Sequence, residues 1–170
     1  MIIAEKNISN LKKVLTFEEN SNILSDISCF IIRYLSKTSS KINHSKLSKN
    51  FIGKYVTNVS VEDYLETVYY NLDLEINTLI LSLIYLDRVC RMNNLLINIE
   101  NFHRLFFTSL VIAIKYSDDS ANFNSFYTEI GGVSLKCFNQ MEKEFLKSIK
   151  YKLYVNEVEF NLYAQNFIKV

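Results

Sequence analysis

Proline is absent from all 170 residues, and glycine occurs only at Gly53, Gly131 and Gly132. These are the two residue types that interrupt helices, one by removing a backbone donor and the other by raising the entropy cost of ordering. A chain that nearly lacks both is expected to be all-α. Its length suits a single domain with its own core, and 49% of its residues are apolar enough to fill one. The most apolar stretches, 76–86 and 105–114, reach about half of the roughly 20 residues that cross a bilayer, so they read as core helices and no membrane partner is expected.

Nineteen basic residues face eighteen acidic ones, giving a net charge of +1. No global positive field exists to gather nucleic acid or anionic lipid, and a nucleic-acid partner is not expected. Cys29, Cys90 and Cys137 are widely spaced and odd in number, which suits a reducing compartment rather than a disulfide framework. The opening residues Met1 to Lys6 lack the basic and apolar segments of a secretory leader. Cytosol or nucleus is the expected location.

Apolar residues at Ile23, Ile27, Phe30, Ile31 and Tyr34 keep helical spacing and predict a first helix over 18–36. A Ser- and Lys-rich connector with Lys41, His44, Lys46 and Lys49 follows. Ser60, with Asp63 three residues on, opens a second helix. Asp73 is expected to cap a third that runs to Arg91 and, being apolar on nearly all sides, lies buried at the centre. A fourth is predicted over 98–118, with a polar stripe through Glu100, Arg104, Thr108, Lys115 and Asp118. A short helix over 122–130 stops at Gly131-Gly132. Ser134 caps a helix over 134–150, and Asn156 with Glu159 opens the last.

Three features stand out within this pattern. In the helix over 134–150, Lys136, Lys143, Lys147 and Lys150 share a solvated face, while Glu142 projects among Phe138, Leu146 and Ile149 instead. A carboxylate placed there needs a cation or backbone donors. Lys115, at the end of an apolar run, is a candidate partner, and the two form either an internal ion pair or part of a docking surface. Asp87 and Arg88 interrupt the central helix about 100 degrees apart, so each requires its own partner.

Nothing in the sequence assembles a catalytic or metal-binding constellation. His44 and His103 have no cysteine or carboxylate cluster at metal-site spacing, Gly131-Gly132 lacks the surroundings of a phosphate loop, and Cys90 and Cys137 lie among apolar residues. No cofactor, metal or small-molecule substrate is expected.

The segments Leu83-Ile84-Tyr85-Leu86-Asp87-Arg88, His103-Arg104-Leu105, Ala113-Ile114-Lys115-Tyr116-Ser117-Asp118-Asp119, Gly131-Gly132-Val133-Ser134-Leu135 and Met141-Glu142-Lys143-Glu144-Phe145-Leu146 together resemble a cyclin box. They are most similar to the fungal phosphate-pathway and plant U-type cyclins. The resemblance covers 60–153, in the family's order and spacing. It implies a five-helix box that docks on the regulatory helix of a cyclin-dependent protein kinase and aligns the kinase's catalytic groups, contributing binding energy and no chemistry. Residues 1–59 would then be a helical extension with its connector, and 154–170 a C-terminal helix too short to be a second box.

Carried over residue by residue, the resemblance makes Lys115 and Glu142 the charged pair presented to the kinase. Ile112, Tyr116, Leu146, Tyr151 and Leu153 become their apolar surroundings, and Asp87 an internal structural acid. The arginine expected near Tyr64 is absent, and Arg104 stands where a leucine is expected. That leaves Arg104 as the candidate replacement cation in an ion network with Asp87 and Arg88. A cyclin-fold adaptor in transcription without a kinase, and a helical enzyme, are the competing readings; the first needs a basic stripe and the second convergent titratable groups.

Overall fold

The computed structural model describes residues 17–38, 49–53 and 59–168. Residues 1–16 and the connector residues Lys41, His44 and Lys46 lie outside them. Among the described residues there are seven α-helices and no strand: α1 Phe17–Thr38, α2 Val61–Asn71, α3 Ile76–Asn93, α4 Phe102–Ser117, α5 Asn124–Gly131, α6 Leu135–Ser148 and α7 Glu157–Ala164, with a 3-10 turn at Lys49–Phe51.

Three of the expected caps form. The side chains of Ser60, Ser134 and Asn156 accept from the backbone N–H groups of Asp63, Cys137 and Glu159, satisfying a donor that the first turn of a helix leaves unpaired. Asp73 does not cap α3. It sits at φ 46°, in the left-handed region, and closes α2: the N–H of Leu74 bonds the carbonyl of Tyr69 at 3.1 Å. This is the helix stop in which a left-handed residue turns the chain and the next N–H reaches back five residues. The same stop recurs at Asn94, Gly132 and Lys150, where Leu95, Val133 and Tyr151 reach back to Cys90, Thr128 and Leu146. Helix α3 therefore begins at Ile76, with Glu75 at its cap position and no side-chain cap bond.

The fourth helix also starts later than its periodicity predicts. Asn98 and Asn101 bond each other, the N–H of Asn98 to Asn101 Oδ1 at 2.9 Å and the N–H of Asn101 to Asn98 Oδ1 at 3.2 Å. Short amide side chains compete in this way with helix formation, and α4 begins only at Phe102.

Among the described elements, helices α3 and α4 share the most extensive contact. Both are buried, as expected for the third helix, but α4 is the more enclosed, with every residue from Leu105 to Ile114 buried. The predicted polar stripe on α4 is thus interrupted: Thr108 is buried and donates to the carbonyl of Arg104 at 2.7 Å. Serine hydroxyls in this core are satisfied likewise, Ser109 by Phe106 and Ser82 by Leu79, so no orphaned donor opposes their burial.

Helix α5 reaches α4 through Gly131, where an added Cβ would lie 2.3 Å from the Phe107 ring. Only glycine admits that approach. Helix α6 packs on both α4 and α5, α1 packs on α2, and α7 packs on α3. The two flanks meet where Phe30 of α1 contacts Phe167, beyond α7, edge to face at 5.7 Å.

Candidate functional site

Lys115 occupies the last turn of α4, and Glu142 lies midway along α6. The fold brings them together: Lys115 Nζ stands 2.6 Å from Glu142 Oε1, with side-chain exposures of 31% and 17%. A third residue joins them. Asn124, the first residue of α5, accepts from Lys115 Nζ and donates through Nδ2 to Glu142 Oε2 at 2.9 Å and to Asn139 Oδ1 at 2.7 Å. Three helices therefore meet at one pair of charges. Sequence reasoning missed Asn124, because its type suits a helix start and nothing in periodicity marks it as a bridge.

Apolar side chains stand exposed around this network. Phe123, which is 87% exposed, and Leu135 line a shallow depression together with Lys115, Asn124 and Asn139. Tyr116 follows Lys115 and is exposed; Leu146 lies one turn beyond Glu142 and is half-buried. Tyr151, at φ 55°, projects into solvent. Ile112 does not join this surface: it is 3% exposed and belongs to the core beneath it. The reason is geometric, since it lies within the stretch of α4 that is enclosed on every side.

The turn after α6 is held from α3. The phenol of Tyr85 donates to the carbonyl of Leu153 at 2.8 Å, and its ring lies edge-on to that of Tyr116 at 6.4 Å. Arg88 donates to the carbonyls of Lys152 and Tyr154 and, through Nη2, to both oxygens of Glu159 at 2.8 and 2.9 Å. Burial foremost, then the Tyr116 phenol, holds the pKa of Tyr85 above the ordinary phenol value.

Asp87 has separate partners. It pairs with Arg91 at 2.6 Å, one turn on, and accepts from the Tyr163 hydroxyl of α7. Its side chain is 40% exposed, so the acid is a surface brace rather than a buried ion. Tyr163 is held above the ordinary phenol range, chiefly by burial and then by its bond to Asp87.

Arg104 does not enter that network. It donates to the carbonyl of Asn50 at 2.7 Å and approaches Cys137 Sγ at 3.9 Å, which ties α4 to the 3-10 turn and to α6. Its position on α4 turns it toward those elements, and Arg91 with Tyr163 supplies the partners that Asp87 needs.

Burial pushes the Cys90 thiol up to about 12, with Asp87 adding to the shift, so it is a neutral core thiol at physiological pH. Burial lowers the pKa of His103 and favours the neutral ring. Among the described residues no group of three or more His, Cys, Asp or Glu is placed to hold a metal ion, and no helix is long and apolar enough to cross a membrane.

Fold and site together define an all-helical domain that presents a paired charge within an apolar surface. The family model described as Cyclin matches residues 9–153. The chain belongs to the cyclin family, whose members are in general regulators and not catalysts. It is 30% identical over 136 residues to Cyclin-U4-3 of Arabidopsis thaliana, covering 79% of this chain and 62% of that protein. To Cyclin-U4-1 of the same plant it is 29% identical over 153 residues, covering 85% and 76% respectively. To Cyclin-P3-1 of Oryza sativa subsp. japonica it is 26% identical over 160 residues, covering 92% and 67%.

Proposed function

We propose that this chain is a cyclin-type regulatory subunit that binds and activates a cyclin-dependent protein kinase, contributing a docking surface and no catalytic group of its own. The carrying observation is the Lys115–Glu142 pair, 2.6 Å apart on two helices and bridged by Asn124. An ion pair that served only to brace α4 against α6 would need no apolar rim. This one lies beside Phe123, Leu135 and Tyr116, all solvent-exposed in the free chain.

The two charges retain bonding capacity for a partner. A lysine ammonium has three donors, and two of them go to Glu142 and Asn124. Each oxygen of Glu142 takes one donor, Oε1 from Lys115 and Oε2 from Asn124, and can accept a further one. A helix terminus or turn of a partner, with unpaired backbone carbonyls and N–H groups, supplies the matching acceptors and donors. Docking there covers the aromatic rim and desolvates the pair, which ties the apolar and polar contributions to one event.

Copurifying the full chain with cyclin-dependent kinases and assaying phosphorylation of a generic substrate tests this reading. The expected result is a stoichiometric complex whose kinase activity exceeds that of the kinase alone. A chain that binds none of them, or that binds without raising activity, overturns it.

A further inference from the structure

The lysines of α6 lie directly beside this face. At 100 degrees per residue, Lys136, Lys143 and Lys147 fall within about 40 degrees of one another, and Lys150 lies two residues beyond the helix, in the left-handed turn that ends it. All four are exposed. The stripe begins about 40 degrees round the helix from Asn139, which belongs to the Lys115–Glu142 network. None of the four makes an ion pair or side-chain hydrogen bond among the described residues.

Local helix electrostatics do not account for this arrangement. Lys147, in the last turn, complements the negative end of the helix dipole. Lys136 does the reverse: it stands in the first turn, which contains no acidic residue, where a cation is disfavoured. Lys143 and Lys147 are four residues apart and repel each other. A merely solvated face could intersperse acids and gain from them, yet Glu142 and Glu144, the acids of α6, both lie off the stripe. With a net charge of only +1 for the whole chain, the stripe is a local concentration of charge and not a general property of the surface.

We propose that this lysine stripe is a second docking surface, which receives an aspartate- and glutamate-rich segment of the same protein that seats on the Lys115–Glu142 face. It rests on the kinase reading above and extends it: among kinases able to fill the apolar face, the fitting partner carries an acidic rim beside its docking helix. Continuity with the face places both contacts within reach of one partner, and the sign of the charge selects the rim. Lysines at such a rim remain hydrated until contact, so they act mainly on the association rate, whereas the desolvated pair at the centre governs dissociation.

The test follows association and dissociation of the full chain with the copurified kinase by surface plasmon resonance. It compares wild type, Glu142→Ala, and a variant with Lys136, Lys143, Lys147 and Lys150 each replaced by glutamine. A second variant with only Lys136→Gln and Lys143→Gln leaves the C-terminal turn of α6 untouched, and circular dichroism checks both folds. The fourfold variant is expected to associate about tenfold more slowly at low ionic strength, with a smaller change in dissociation. The gap should close as salt shortens the screening length. The twofold variant should show part of the same loss.

Unchanged association rates and salt dependence, together with a weakened Glu142→Ala complex, would overturn the stripe and leave the kinase reading standing. Failure of the wild-type chain to bind any kinase would remove both. If the lysine variants lose binding to phosphatidylserine vesicles or duplex DNA while kinase association is unaltered, the stripe serves a different partner and the proposal falls.

Discussion

Two ion pairs of similar length have different surroundings in this molecule. Arg88 and Glu159 are 2.8 Å apart, and Lys115 and Glu142 are 2.6 Å apart. Around the first, bonding is directed inward: the guanidinium also takes the carbonyls of Lys152 and Tyr154, and both oxygens of Glu159 are engaged. It fastens α7 and the turn after α6 onto α3. Around the second, an amide bridges the charges, some bonding capacity remains, and aromatic side chains stand bare beside it. Distance does not separate the two pairs; what the surrounding atoms leave unfinished does, and the proposed docking role rests on that difference.

The largest expected effect is that of Glu142→Ala on kinase binding. Truncating one member of a charge pair desolvated on docking costs about 2 to 5 kcal/mol, so affinity should fall by at least tens-fold in a titration. The melting temperature of the free chain should move little. A large loss of melting temperature with intact affinity would make the two pairs equivalent and erase the contrast.

Arg88→Ala should show the opposite balance. Removing the cation leaves Glu159 partly buried and two carbonyls without their donor, at a cost of about 2 to 3 kcal/mol once partial exposure is allowed for. Denaturant unfolding measures this loss, and kinase affinity should change less than in Glu142→Ala.

Asn124→Ala sharpens the comparison further. It removes a neutral bridge while leaving both charges, and a hydrogen bond of that kind contributes about 1 kcal/mol. Kinase affinity is expected to fall about fivefold, and isosteric Asn124→Asp should not restore it, because a carboxylate cannot donate to Glu142 Oε2. Recovery by aspartate would deny the bridge its role.

The smallest expected effect is an alkaline pH dependence to which the brace contributes beside the buried Cys90 thiol and the Tyr64 phenol. Tyr85 and Tyr163 keep their protons in the folded chain above the ordinary phenol value, whereas in the unfolded chain they ionise near about pH 10. The folded state therefore binds the proton more tightly, so this contribution is constant below about pH 10 and is lost as pH rises further. Unfolding followed from pH 8 to 11 should show stability declining toward the alkaline end, through the Cys90 thiol first and the phenols next, and less steeply in Tyr163→Phe than in the wild type.

The helices themselves were legible because their signals are local. Ser60, Ser134 and Asn156 are short oxygen-bearing side chains just ahead of amphipathic runs, and each caps as expected. The meeting of Lys115 with Glu142 could be named from the family resemblance and from the odd placement of a carboxylate among apolar neighbours. What escaped was long-range or stereochemical. Asp73 has the composition of a cap, but its backbone turns left-handed to end the preceding helix, and of the four such stops among the described residues only one is marked by a glycine. The resemblance offers Arg104 as the replacement for a missing cation near Asp87, whereas the partners it takes depend on which element lies across from it. Ile112 could not be separated from its exposed neighbours without knowing that α4 is enclosed.

Lys150 and Tyr151 are consecutive non-glycine residues in the left-handed region, a conformation that persists only where its surroundings impose it. At Lys150 the local helix stop, with the Tyr151 N–H on the carbonyl of Leu146, supplies part of that, and just beyond it Tyr85 and Arg88 grip backbone carbonyls 64 to 68 positions further along the chain. The turn that carries Tyr151 and Leu153 is thus completed by contacts from α3 and not by α6 alone. A nascent or half-collapsed chain could form α4 and still offer an incomplete surface. If a kinase docks there, capture by it is a proofreading step: it retains finished molecules and leaves unfinished ones exposed to the cell's quality control.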